Sequence, residues 1–234
     1  MALSLDGWPA PGGATTVGGS LYALPRAHRL TAAEELAARG WWVHADVLLD
    51  EAGTGAGVSL AEVAQVRSLL PGALIEVHLI ELGGGDRAVA RAEDRFARTL
   101  AEALTCRPTR VVLPSARCAP DGDAVRRARE AGAAVWAEVA PRDDVSGDAA
   151  LGSVDGALVM LIEPGTTEEA DLRRLSQVTT LSWGLPVGVD GGVAPDNLDA
   201  CLRAGATHLV VGRALVPGPG LTAPAGTTTT GGLP

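Results

Sequence analysis

The side chains in this sequence best suited to chemistry stand at the ends of three short apolar runs. In the run 41–47, WWVHADV, His44 and Asp46 are two residues apart, and in an extended chain that spacing puts both on one face. The run 73–79, ALIEVHL, repeats the device with Glu76 and His78, and the run 186–190, PVGVD, ends in Asp190. Two imidazoles and two of these three carboxylates, gathered from three strand ends, make a four-ligand set for a divalent metal. A lone histidine at a strand end more often just satisfies a hydrogen bond. The weight here rests on several compatible ligands falling at one rim.

Glycines supply the second element. Asp190-Gly191-Gly192 and Val211-Gly212-Arg213 follow two consecutive apolar runs. Glycine after a strand lets backbone N–H groups approach an anion that a Cβ would keep away, so these positions are candidates for holding a phosphate. The chain contains 19 Lys plus Arg, and every one is arginine. Chemistry that needs an amine, such as a Schiff base or a P-loop lysine, is thereby excluded. Arginine stays protonated and cannot stand in as base or nucleophile.

Eight apolar runs can position these residues: 20–24, 41–47, 73–79, 109–113, 133–137, 156–161, 186–190 and 208–212. Helical patterns lie between them. Capping-box spacing occurs at Thr31/Glu34, Ser59/Glu62 and Thr166/Glu169, and Gly40, Gly132 and Gly205 are placed as C-terminal caps. Val89, Ala92, Phe96, Leu100 and Leu104 recur at helical spacing. Strands alternating with helices predict repeated βα units, most economically a (β/α)8 TIM barrel, with an open doubly wound sheet as the alternative. The eighth helix is missing from the pattern, because RALV after the last strand runs into Pro and Gly. The expected organisation is a flexible N-terminal segment at 1–19, the barrel at 20–216 and a disordered tail at 217–234.

The 234 residues carry a formal charge of −9 and are 47% hydrophobic, which describes a globular chain whose surface repels nucleic acid and anionic lipid. No apolar run reaches the roughly 18–20 residues of a membrane helix. No Lys or Arg precedes Arg26, so a signal-peptide start is not expected. Three widely spaced cysteines, Cys106, Cys118 and Cys201, fit a reducing cytoplasm better than a disulfide framework.

Taken together, these segments resemble the ribulose-phosphate 3-epimerase family. WWVHADVLLD is similar to its His-x-Asp-x-Met-Asp motif, EVHLIE to its Asp-Val-His-Leu-Met-Val, and ALVMLIEPG to its Val-Met-Ser-Val-x-Pro-Gly. VGVDGGVAPDNLDACLRAGATHLVVGRAL is similar to the segment from Val-Asp-Gly-Gly to Gly-Ser-Ala-Ile. The resemblance runs in order over about residues 20–215. It implies a metal-dependent epimerase acting at C3 of a ketopentose phosphate, such as ribulose 5-phosphate. His44, Asp46, His78 and Asp190 match the ligands of a divalent Zn, Fe, Mn or Co ion. Asp46 and Asp190 match the two catalytic carboxylates. Gly191, Gly192 and Gly212 match the phosphate grip, and Met160 matches a pocket methionine.

The sequence also departs from that family. Leu21 or Tyr22 falls where the family has a strand-one serine. Leu48 and Ile80 replace methionines, and residues 51–57 replace a Gly-x-Phe-Val-Pro-Asn loop. Thr166-Thr167-Glu168-Glu169 replaces a Phe-Gly-Gly-Gln lid. Arg213 replaces a serine and is expected to contact the phosphate. The alternative to an enzyme is a non-catalytic, repurposed barrel that binds metal or sugar phosphate. The expected partners are a small phosphorylated sugar and further copies of the chain, with the uncovered side of strand eight masked by the N-terminal segment or a second subunit.

Overall fold

A computed structural model describes residues 2–10, 12–49, 57–82, 89–141, 143, 149–164 and 166–216. Eight parallel strands close into one barrel in sequence order, β1 through β8. They are β1 (Thr16–Ser20), β2 (Trp42–Leu49), β3 (Ile75–Glu81), β4 (Arg110–Pro114), β5 (Ala134–Val139), β6 (Gly156–Met160), β7 (Val187–Asp190) and β8 (His208–Val211). Closure comes from β1 pairing with both β2 and β8, with Ser20 opposite His44 and Gly19 opposite Val211.

Six α-helices lie among the described residues: α1 (Arg29–Ala38), α2 (Leu60–Leu69), α3 (Val89–Thr105), α4 (Asp123–Glu130), α5 (Leu175–Leu181) and α6 (Leu198–Arg203). Among the described residues a 3-10 turn, Ala149–Ser153, stands between β5 and β6, and another, Arg213–Leu215, follows β8. The tail 217–234 and residues 51–56 of the loop after β2 lie outside the described residues.

The strand period of two divides the core. Outward residues such as Val43, Val77, Val111, Val159 and Leu209 join helix side chains in one apolar layer. Val112, Trp136, Leu158, Met160 and Val210 form a separate cluster inside the barrel. In α3, Phe96, Leu100 and Ala103 are buried on the helical spacing, while the side chain of Val89 lies outside the described residues.

The capping box at Ser59 forms in full, with Glu62 N donating to Ser59 Oγ and Ser59 N donating to Glu62 Oε2. The other two do not. α1 begins at Arg29 after a 3-10 turn from Pro25, which places Thr31 inside the helix. Thr166 starts no helix; the chain turns helical only at Leu172, where the Asp171 side chain accepts from Arg173 N. Gly40, Gly132 and Gly205 take φ of 74°, 81° and 99°, as C-terminal caps require.

The first strand also differs from expectation: it is TVGGS at 16–20, and Leu21–Leu24 form the turn after it. Its glycines disguise it, and packing explains them. A Cβ on Gly19 would come within 2.5 Å of Leu36 on α1, and one on Gly18 within 3.2 Å of the His208 ring. The barrel therefore begins inside the segment expected to be flexible. Further upstream Leu3, Leu5 and Trp8 pack on the core, and Ser4 N donates to Leu215 O at 2.8 Å. The N-terminal segment thus packs beside the turn that follows β8.

Candidate metal centre and active site

Alternation along β2 aims Trp42, His44, Asp46 and Leu48 into the barrel, and along β3 it aims Glu76, His78 and Ile80 inward. The β2–β3 register sets His44 opposite Glu76 and Asp46 opposite His78, and Met160 stands opposite Asp190 across β6 and β7. His44, Asp46, His78 and Asp190 each present one ligand atom, and these atoms all lie within 4.8 Å of one another. His44 Nε2 is 2.9 Å from Asp46 Oδ1 and 3.6 Å from Asp190 Oδ2. His78 Nδ1 is 3.3 Å from Asp46 Oδ1 and 3.8 Å from Asp190 Oδ2. A tetrahedral ion with bonds of about 2.1 Å separates its ligands by about 3.4 Å, so these spacings suit a divalent cation.

The donor set agrees with the spacing. Each histidine spends its remaining ring nitrogen on a buried glutamate: His44 Nδ1 lies 2.5 Å from Glu76 Oε1, and His78 Nε2 lies 3.1 Å from Glu138 Oε2. This leaves Nε2 of His44 and Nδ1 of His78 for an ion. Mixed N/O donors suit zinc, iron, manganese or cobalt. Burial opposes charge on both histidines, yet the surrounding carboxylates outweigh it. His44 is held well above the usual imidazole range, and His78 is raised to about 9 by its bonds to Asp46 and Glu138. Asp190 is pushed up to about 7 by burial and by the Asp46 charge, only partly offset by the histidines. Asp46 goes the other way, because His44 and His78 overcome its burial and hold it well below the carboxylate range. The buried carboxylates thus favour positive charge at this point, and a bound cation would supply it in place of the imidazole protons.

Sequence reasoning missed two participants, Ser20 and Glu138, and the partner of a third, Glu76. Ser20 closes β1, and its Oγ donates to Asp46 Oδ2 at 2.9 Å. The serine expected to be absent from strand one is therefore present, one residue before Leu21. Glu138 stands one residue past the expected run 133–137, AAVWA, and the extension of β5 to Val139 brings it to His78. Glu76 shares a face with His78 but turns to His44 on the neighbouring strand, a pairing that only the register reveals.

The glycine turns have a packing cause of their own. Gly191 and Gly192 hold φ of 100° and 68°. A Cβ there would meet Ile162 at 2.6 Å and the Ala170 backbone at 3.0 Å, and one on Gly212 would meet Ala23 at 2.9 Å. The loop after β6 is thus drawn tightly onto the β7 turn. Arg213 reinforces this, donating from Nη1 to Thr167 O at 2.7 Å and from Nη2 to Glu168 O at 2.8 Å. Met160 is buried inside the barrel.

Among solved structures the chain is similar to phosphoribosyl anthranilate isomerase from Thermus thermophilus, at 16% identity and TM-score 0.56, covering 88% of this chain and 90% of that one. It is also similar to a mutant tryptophan synthase α-subunit from Pyrococcus furiosus, at 16% identity and TM-score 0.58, covering 86% and 88%. At such identities the likeness shows the shared barrel fold alone. No curated protein matches the chain. A family model does match, over residues 17–216, nearly the whole barrel with all four side chains of the cluster. The chain belongs to the ribulose-phosphate 3-epimerase family.

Proposed function

We propose that this barrel epimerises a ketopentose phosphate at C3, interconverting ribulose 5-phosphate and xylulose 5-phosphate or a closely related pair. The observation that carries this reading is the convergence of His44, Asp46, His78 and Asp190 at one buried point inside the barrel. A divalent ion held there would act as a Lewis acid toward the substrate's carbonyl and the enediolate derived from it. The protein's own part is proton transfer. Asp46, from β2, and Asp190, from β7, approach the centre from different strands. One carboxylate removes the proton α to the carbonyl and the other returns a proton to the opposite face. Ser20 steadies Asp46, Glu76 steadies His44 and Glu138 steadies His78. Met160 lines the pocket beside Asp190. The phosphate would lie by the turns of Gly191, Gly192 and Gly212, with Arg213 at the same rim.

A second reading, a barrel that binds its ligand without turnover, draws on one feature. The loop after β6 carries exposed Glu168 and Glu169 and is tied down by Arg213. Proton NMR of ribulose 5-phosphate with the protein in D2O separates the two. Exchange at C3 together with appearance of the epimer supports the enzyme. Binding without exchange supports the second reading. Asp46→Asn and Asp190→Asn should each abolish epimerisation in folded protein, and wild-type rates in either would refute the two-carboxylate assignment. The proposal includes a cytoplasmic setting and self-association. Among the described residues no helix is long and apolar enough to cross a membrane.

A further inference from the structure

The interior of a barrel like this is normally packed with branched apolar side chains, but here its lower half holds buried charge. Glu76 is fully buried, and Arg110 and His208 are nearly so. Arg110 Nε lies 2.6 Å from Glu76 Oε2. The Arg110 guanidinium sits 4.0 Å from the Trp42 ring centre on one side and 3.8 Å from that of Trp136 on the other. His208 Nε2 approaches Glu76 Oε1 at 3.4 Å, and its Nδ1 is 2.8 Å from Thr16 Oγ1. Neighbouring strands are cut back to admit this group. A Cβ on Gly156 would lie 2.4 Å from Trp136, and one on Gly188 would lie 3.0 Å from the same ring.

Stability alone is a poor reason for such a plug, since buried ion pairs can commonly be replaced by apolar packing at no loss. Its geometry offers a better one. Glu76 has a partner at each oxygen, Oε2 in an ion pair with Arg110 and Oε1 in a hydrogen bond with His44 Nδ1. A carboxylate fixed at one end holds the imidazole at the other. His44 can then present only Nε2 to Asp46 and Asp190. We propose that Arg110, clamped between Trp42 and Trp136, is a positioning residue that acts through Glu76 to orient His44 for the metal. The proposal rests on the reading of the four-residue cluster as a metal centre. Arg110 touches neither the ion nor the substrate.

The test is metal affinity, measured on metal-free protein titrated with zinc against a chromophoric chelator, with the visible spectrum of the cobalt form as a second readout. Removing the partner that orients a ligating histidine typically weakens binding about 10–100-fold. Arg110→Met should therefore raise the Kd for zinc by about that factor and alter the cobalt spectrum. Val125→Ala, a destabilising change on α4 remote from the cluster, should leave both unchanged. Should Arg110→Met fail to fold, Glu76→Gln carries the test with the same expected loss. A folded variant of either kind with a Kd within about twofold of wild type overturns the proposal and leaves the metal centre standing. Equal weakening in Val125→Ala overturns it too, because affinity would then merely track stability. A wild-type protein that binds no metal removes the proposal and the metal reading together.

Discussion

Ser20 gives the sharpest test of how the site divides its work. Asp46 has two oxygens with different partners: Oδ1 faces His44 Nε2 and His78 Nδ1, while Oδ2 accepts from Ser20 Oγ at 2.9 Å. Ser20→Ala removes one hydrogen bond to a buried carboxylate and leaves the oxygen nearest the histidines alone. A bond to a charged acceptor contributes about 1.5–3 kcal/mol. Without it Oδ2 loses the bond that aims it, while Oδ1 keeps its place between the two histidines. If Asp46 transfers the proton as proposed, kcat should fall by about 10- to 150-fold, at 1.36 kcal/mol for each tenfold. Metal content per chain should not change. The assay is steady-state turnover of ribulose 5-phosphate, with metal measured on the same samples. A kcat within twofold of wild type would show that the hydroxyl does not serve Asp46 in the reaction. A parallel loss of metal would refute the division between the two oxygens.

Three further outcomes follow from the packing and charge. Gly156→Ala drives a methyl into Trp136 and should cost about 1–3 kcal/mol, read as a drop in Tm, whereas Gly152→Ala, with open space around it, should be neutral. Burial raises Glu62, but hydrogen bonds from Ser59 and the Arg29 and Arg26 charges outweigh it and hold Glu62 below its usual range. Because the folded value is depressed, its contribution to stability is present above the unfolded carboxylate range and is lost as pH falls through the folded value. Denaturant melts should therefore show Glu62→Gln less stable than wild type at neutral pH, with the gap closing in acid. Arg213→Ser frees the carbonyls of Thr167 and Glu168, so hydrogen exchange should quicken over 166–170 with little change in Tm, and unchanged exchange would show that the arginine does not restrain this loop.

Much of the fold and the cluster was legible in the sequence because it depends on local rules. The two-residue spacings His44–Asp46 and Glu76–His78 place each pair on one face whatever the rest of the chain does. The alternation of strands with helices, the Ser59–Glu62 box and the terminal glycines at 40, 132 and 205 are likewise short-range. Tertiary structure decided the rest. β1 could not be read from TVGGS, because its glycines answer to Leu36 and His208, residues far away in sequence. Moving that strand restored Ser20 to the site. The box at Thr166 failed because the loop is drawn onto Gly192 and held by Arg213 instead of starting a helix. The partners of the histidines were hidden for the same reason: Glu76 turns to the neighbouring strand, Glu138 arrives from β5 and Arg110 from β4. Which side chains converge inside a closed barrel depends on strand register and stagger. Those are set by all eight strands at once, so no single segment of the sequence records them.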